Sequence, residues 1–428
     1  MKILILGGGL SGLAAAYKLS NSNEVLILEK EDYLGGQASS NEIFWDGKIY
    51  SISKTYHHIL QGDNTTIQFI KEFNLSKKFH QKKVSTGFLF KNKVYGFTTP
   101  LEILKFPISL WDKFLLAKFV LIGTKRKDWE SIKEMNAKEW IIKEAGETNF
   151  NVFFDQLIRN KFHKGAEEIS APWIGTRFSK ESSSFMKSFG WLEGGLKLFV
   201  DGFVDAIKRN NGIILTNAKV TSLDMKNKKV SYTINNKKQT YQADIIISTI
   251  PPEELIKVSK NLNEEFIEDT KNIKYLSCIC MTLGLKSKLS PYYWINILDK
   301  GMPFSALFVH SNLYEDSAPK DKSVMFVVTY LDKDEPLWKM SDEDIFETYI
   351  SSLSKVFPSI RNEIEWHKIT KLKYAEAIYS LDFKNPNIQY GNLYLAGIYR
   401  IFPKIRNMAS AIESGLEVAN IVEANKHV

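Results

Sequence analysis

Three glycines and one acid carry the clearest chemical signal in the chain. Gly7, Gly9 and Gly12 form a G-x-G-x-x-G between an apolar run and a helix-forming segment, and Glu29 closes the next apolar run. Gly7 permits a tight turn, Gly9 lets a pyrophosphate approach the backbone, and Gly12 lets helix and strand pack closely. The helix start offers unpaired N–H groups to phosphate. Glu29 can accept hydrogen bonds from both hydroxyls of an adenosine ribose. The spacing points to dinucleotide binding; the plainer alternative is a tight turn with no ligand. Tyr56-His57-His58 is the most unusual local cluster, holding two of only seven histidines. A histidine there could hydrogen-bond a bound ring or shuttle a proton; alternatively, one packs inside and the other is solvated. No nucleophile triad, zinc-ligand spacing or Walker loop is present, so no metal site is expected.

The elements that must position these residues follow from the apolar pattern. Lys2–Leu6 reads as a strand buried on both faces, Leu13–Leu19 as a helix, and Val25–Leu28 as a second buried strand. A strand–helix–strand opening of this kind implies an α/β fold with a parallel central sheet. The 428 residues suggest two or three domains, and 44% apolar with 25% charged residues is ordinary globular usage. Cys278 and Cys280 alternate through Tyr275–Met281 as in a strand and do not look like a metal knuckle. A reduced, cytoplasmic chain is the expectation. The net charge is +8, but the lysines are scattered, so no nucleic-acid role is expected. No stretch reaches the ~18 unbroken apolar residues of a spanning helix, and a strand beginning at Lys2 leaves no room for a signal peptide.

Directly after Glu29, the Gly35-Gly36 pair with Gln37, Ala38 and Ser39 resembles the second phosphate loop of FAD enzymes. Three further passages extend the likeness: Gly190–Val200, which looks like the family's Gly-Gly-x-x-x-Leu segment, Ala243–Pro252, and Gly391–Gly397 followed by the helix-forming Met408–Ala419. In this order they resemble the flavin amine oxidase superfamily, which includes protoporphyrinogen oxidases, phytoene desaturases and, more distantly, UDP-galactopyranose mutases. Typical members carry an Asp or a Thr-Glu pair after the Ala-Gly, whereas this chain has Ile398-Tyr399, removing a side-chain contact to the cofactor. The resemblance covers blocks 1–85, 188–260 and 370–428, which imply a discontinuous Rossmann-like FAD-binding domain. Blocks 86–187 and 261–369 then form an interleaved α+β substrate domain.

The resemblance implies non-covalent FAD held by Gly7, Gly9, Leu10, Ser11 and Gly12, by Glu29 and Lys30, and by Gly35 to Ser39. His57, His58, Val220, Gly397, Arg406, Asn407 and Met408 complete the expected contacts. A helix starting at Asn407 or Met408 would point free N–H groups at the flavin's pyrimidine edge, with Arg406 beside it; the alternative is that Arg406 pairs with a surface acid. His58 and Tyr379 are the candidate catalytic residues. For Tyr379 the alternative is a strand aromatic packing between domains, and for Phe162–Trp173 a loop packing near the site entrance. The implied activity is hydride transfer from a small organic substrate to flavin N5, protoporphyrinogen oxidase-like or desaturase-like. The alternatives are an amine oxidase and a mutase-type isomerase, which would need an arginine cluster from Arg159, Arg177, Arg400 and Arg406. A flavin-bound scaffold without turnover is a third class. Ile213–Leu215, 218–223 and 229–234 read as a meander of strands. Residues 100–123, apolar with lysines at intervals and followed by Lys125-Arg126-Lys127, fit either a peripheral membrane face or a buried helical layer with lysine heads reaching solvent.

Overall fold

A computed structural model describes residues 1–178, 188–380 and 383–425. Its first layer is a six-stranded sheet. Glu24–Leu28, Lys2–Leu6, Ile245–Ser248 and Leu393–Leu395 lie side by side and parallel, Ile213–Leu215 extends one edge in parallel, and Gln389–Tyr390 closes the other antiparallel. The inner strands are buried along almost their whole length, which explains their unbroken aliphatic runs. Ile213–Leu215 therefore leaves the expected meander for this sheet, and the meander is instead 219–224, 229–234 and 237–242.

The first helix, Leu10–Leu19, packs against the last, Met408–Ala424. A methyl at Gly415 would meet the Ser11 carbonyl oxygen at 2.1 Å, and the Ser11 hydroxyl donates to the Ala411 carbonyl at 2.8 Å. Helix-to-helix approach this close needs a residue without a side chain. The two ends of the chain are thereby locked into one layer.

The second sheet has seven strands in the order 364–377, 275–285, 323–331, 306–309, 294–297, 86–90 and 93–96. Helix Asp342–Leu353 covers one face with Ile345, Tyr349, Ile350 and Leu353. The strand Ile364–Ala377 runs without a break through residue 370, so the domain crossing expected there falls inside a strand of the second sheet. Cys278 and Cys280 lie buried and free on its neighbour, Tyr275–Leu285. Helices between residues 100 and 175 pack over the other face of this sheet around an aromatic core that includes Phe106, Phe119, Phe153 and Trp140.

Candidate active site

One cavity of about 750 Å³ runs from the first glycine turn to the space between the second sheet and the helices that cover it, within the usual ~300–1,000 Å³ of small-molecule sites. At one end the strand Lys2–Leu6 turns at Gly7 into the first helix. That helix has Gly9 at its N-cap with no side-chain cap, so its first N–H groups are left for a ligand. A methyl on Gly9 would meet nothing within 4 Å, because this position opens onto the cavity. A methyl on Gly12 would meet the Gly7 carbonyl oxygen at 2.1 Å, so Gly12 serves packing and lies behind the wall. The second glycine loop is pinned to the first by Gly35 N–H donating to the Gly8 carbonyl at 2.8 Å. Glu29 accepts from the Gly8 N–H at 2.7 Å and the Glu31 N–H at 2.9 Å. Each carboxylate oxygen keeps further acceptor capacity, and Glu29 lines the cavity beside Lys30 and Val220.

Gly7, Gly9, Leu10, Ser11, Glu29, Lys30, Gly35, Gly36, Gln37, Ala38, His57, His58, Val220, Gly397, Arg406, Asn407 and Met408 all line this one space. Gly12 and Ser39 do not. The uncapped helix start, the open Gly9 and the oriented acid together fit a dinucleotide's phosphates and ribose.

At the other end the second sheet supplies the walls through its two-residue period. Leu372, Tyr374 and Glu376 face the cavity from one strand, as do Val328 and Tyr330, Ala306 and Phe308, and Trp294 and Asn296 from others. Helix Asp155–Phe162 adds Leu157, Ile158, Lys161 and Phe162, and Phe154, Ile174 and Phe178 complete an apolar chamber.

A charged cluster sits where chamber and glycine loops meet. Arg406 donates from Nη1 to the Gln37 amide oxygen at 2.5 Å and from Nη2 to the Tyr330 hydroxyl at 3.0 Å. Its Nε lies 3.8 Å from Glu376, whose carboxylate also binds Lys161 Nζ at 2.7 Å. The Glu376 side chain is only 4% exposed. Burial works against the Arg406 charge, but Tyr330, Glu376 and Tyr56 outweigh it, so its pKa is raised. The acid beside Arg406 is thus a buried one, and the surface pairing considered from sequence does not occur. Lys161, Tyr330 and Glu376 were not singled out by sequence.

His57 gives its Nδ1 proton to the Thr55 carbonyl at 3.0 Å, which leaves Nε2 as an acceptor. Burial pushes its pKa down to about 4, against the Thr55 hydrogen bond and with help from Arg406. His58 is boxed by Phe189 and Tyr293, with Nδ1 3.0 Å from the Tyr293 hydroxyl. Burial, with His57 and His310 nearby, lowers it to about 3. Both rings are neutral at pH 7. That suits hydrogen bonding and leaves no imidazolium to deliver a proton.

Tyr379 is not brought to the cavity. It is 3% exposed, its hydroxyl donates to the Ile398 carbonyl, and its ring packs between Trp173, Phe383 and Phe402. It lies past the end of the strand at Ala377, so the inward alternation of 372, 374 and 376 no longer governs it. The last helix does begin at Met408, but Asn407 caps it: its side chain accepts from the Ser410 N–H at 2.8 Å, and Ser410 Oγ accepts from the Asn407 N–H at 3.1 Å. Met408 and Ala409 remain the N–H groups without a partner inside the helix. Of the three arginines considered for a cluster whose side chains are described, Arg159, Arg400 and Arg406, only Arg406 lines the cavity. Arg159 pairs with Asp155, Arg400 binds the Pro386 carbonyl, and the side chain of Arg177 lies outside the described residues.

A glycine-cradled nucleotide end joined to an apolar chamber on a second sheet defines a flavin-dependent oxidoreductase. The chain belongs to the flavin containing amine oxidoreductase family, which matches residues 10–422. It is 20% identical over 390 residues to a flavin-dependent L-tryptophan oxidase of Lentzea aerocolonigenes, covering 84% of this chain and 81% of that protein. A protein from Exiguobacterium provisionally assigned as a protoporphyrinogen oxidase has the same fold, with a TM-score of 0.78 at 16% identity over 99% of both chains. Reduced UDP-galactopyranose mutase gives 0.75 at 14% identity over 99% of this chain and 95% of the other. Among the described residues no helix is long and apolar enough to cross a membrane, and no His, Cys, Asp and Glu cluster could hold a metal.

Proposed function

We propose that the chain binds FAD non-covalently and oxidises a large, mostly apolar substrate that is neutral or anionic near its reacting carbon. Bound there, the flavin would supply an electron-accepting ring for hydride transfer. Around it, this chain's residues bind, orient and exclude water. Gly9 and the first helix start would hold the pyrophosphate, Glu29 the adenosine ribose, and Arg406 the ring's electron-rich edge in the reduced state. The apolar chamber would keep water from the reacting carbon and orient the substrate by shape.

The observation that carries this reading is the charge of the chamber mouth. Lys161 and Arg406 against Glu376 leave one net positive charge in a buried setting. A protonated amine would meet repulsion there, which speaks against polyamine oxidation, whereas an unsaturated ring system or polyene with an acidic substituent would not. The mutase reading draws on the likeness of fold, but the one cavity arginine among the described side chains is a poor clamp for a substrate pyrophosphate.

The test is anaerobic bleaching of the purified yellow protein by a panel of compounds: putrescine, an anionic reduced tetrapyrrole, a carotenoid precursor, and UDP-galactopyranose with dithionite-reduced enzyme. Fastest bleaching by putrescine, or turnover of the sugar nucleotide only after reduction, would overturn the proposal.

A further inference from the structure

One amide in the cavity wall joins three parts of the chain. Gln37 follows the Gly35-Gly36 pair, in a loop that the Gly35 N–H already pins to the Gly8 carbonyl at 2.8 Å. Its Nε2 donates to the Tyr374 carbonyl at 3.0 Å and to the Ala375 carbonyl at 3.1 Å. Its Oε1 accepts from Arg406 Nη1 at 2.5 Å. The two carbonyls require the nitrogen on one side and the guanidinium requires the oxygen on the other, so the partners fix the amide's orientation. Both of its N–H donors are used, which leaves Gln37 none for a ligand.

The strand that receives this amide is irregular at that point. In the pairing of Ile364–Ala377 with Tyr275–Leu285, Leu276 faces Glu376 and Cys278 faces Leu372. Ser277 alone therefore stands opposite Lys373, Tyr374 and Ala375. A bulge of this kind leaves backbone groups without ladder partners and re-aims the side chains beside it. The three carbonyls are satisfied by side chains instead. Ser277 Oγ donates to that of Lys373 at 3.0 Å, and Gln37 donates to the other two. The residue that emerges from the bulge is Glu376, whose buried carboxylate lies 2.7 Å from Lys161 Nζ and 3.8 Å from Arg406 Nε.

Gln37 thus holds both halves of one ion pair, Arg406 through its guanidinium and Glu376 through the backbone just before it. An arginine and a carboxylate left to themselves close to ~2.7–2.9 Å, frequently through two parallel bonds. Here Nε stands off at 3.8 Å, while Nη1 and Nη2 are turned to Gln37 and to the Tyr330 hydroxyl. Those two partners are neutral, so they orient the guanidinium without cancelling its charge. Lys161 takes the closer place on the carboxylate.

We propose that Gln37 is a positioning residue that keeps Arg406 and Glu376 apart, and so sets how much positive charge a bound flavin ring feels from the cavity wall. This rests on the proposed placement of the ring beside Arg406. It links the two ends of the cavity, because the glycine loop at the nucleotide end also tunes the electron affinity of the ring. Without the amide, two bulge carbonyls lose their donor, and Arg406 is free to turn Nη1 and Nε onto Glu376 as a parallel pair. That pair presents a dipole where a cation stood, and the reduced, anionic ring loses stabilisation relative to the oxidised one.

The experiment is anaerobic redox titration of the flavin-bound protein as wild type, Gln37→Met, Arg406→Gln and the double variant. Gln37→Met is expected to shift the potential downwards, by less than Arg406→Gln does. In the double variant it adds nothing, because Arg406 is the group it acts through. Gln37→Asn keeps an amide one methylene too short to span both partners; it shifts the potential the same way and serves where Gln37→Met does not retain flavin. A shift from Arg406→Gln with no downward shift from either Gln37 variant overturns the inference and leaves the placement of the ring standing. Equal shifts with and without Arg406 also overturn it, since Gln37 would then act on the ring directly. Loss of flavin from both Gln37 variants assigns the residue to retaining the cofactor and overturns it as well. No shift from Arg406→Gln overturns the placement of the ring, and the inference with it.

Discussion

Replacing Arg406 by Gln is the most direct probe of how the cavity wall acts on the bound ring. The guanidinium is held by Gln37 and Tyr330, with Glu376 3.8 Å from its Nε. Two-electron reduction leaves negative charge at the pyrimidine edge of a flavin, and a nearby cation stabilises that form over the oxidised one. At ~6 Å and an effective dielectric of ~20, Coulomb's law gives ~3 kcal/mol. Hydrogen bonds to charged groups are worth ~1.5–3 kcal/mol. With ~30 mV per 1.4 kcal/mol for a two-electron couple, the potential should fall by ~30–65 mV in Arg406→Gln. Glu376 reinforces the direction, because it stays behind with only Lys161 to balance it. Arg406→Lys restores the charge without the fork and should recover part of the loss. The assay is dye-coupled anaerobic titration of the flavin spectrum. If both variants match the wild-type potential within error, Arg406 does not face the ring and the proposed orientation of the cofactor fails.

Gly9→Val should yield a folded, colourless protein with a normal melting temperature, because its side chain would occupy only cavity space. Gly12→Ala should instead lower the melting temperature, since its methyl meets the Gly7 carbonyl; a colourless but unfolded Gly9→Val would contradict the contrast. His57 and His58 have folded pKa values below the ordinary 6.5, near 4 and 3, so the folded state binds fewer protons than the unfolded one. Their contribution is complete above pH ~6.5 and is lost as pH falls towards these values. Melting temperature should therefore drop below pH ~6.5, less steeply in His57→Asn, and equal slopes would refute this. Acid precipitation should release all the flavin into the supernatant; colour left in the pellet would mean a covalent link, with the cavity histidines the first residues to check.

What could be read in advance divides along contact distance in the chain. The glycine turn, its helix and Glu29 lie within one strand–helix–strand unit, where spacing alone fixes the geometry, and they line a single wall. Tyr56-His57-His58 stood out by composition, and all three residues reach the cavity. Arg406 was expected at the cavity from the resemblance, but the cluster it forms with Lys161, Tyr330 and Glu376 had no such signature. Its members come from a helix, two strands and a loop, and they meet only because 275–285 pairs with both 323–331 and 364–377. Tyr379 was expected at the site from the family resemblance, but it lies past the strand's end at Ala377 and takes the packing place weighed as its alternative. Ile213–Leu215 was misjudged because three apolar residues do not reveal which sheet they will join. Helix Leu110–Lys125 buries Leu116 and Phe119 but exposes Leu110, Trp111, Phe114 and Leu121, which excludes the buried helical layer weighed from sequence. That outward apolar face could not be told from an inward one, since the helix is apolar all round and burial depends on neighbours distant in the chain.

The lock between the first and last helices makes the order of synthesis matter. Ser11 and Ala411 are 400 positions apart, so at ~5–20 residues per second the opening helix waits ~20–80 s on the ribosome for its partner. Until then the Ser11 and Ala15 backbone that receives Gly415 lacks that partner, and the cavity lacks the wall that Met408 and Ala411 provide. The cofactor wall is therefore complete only once the final helix has been made, and a polypeptide stalled short of it keeps that end of the cavity open.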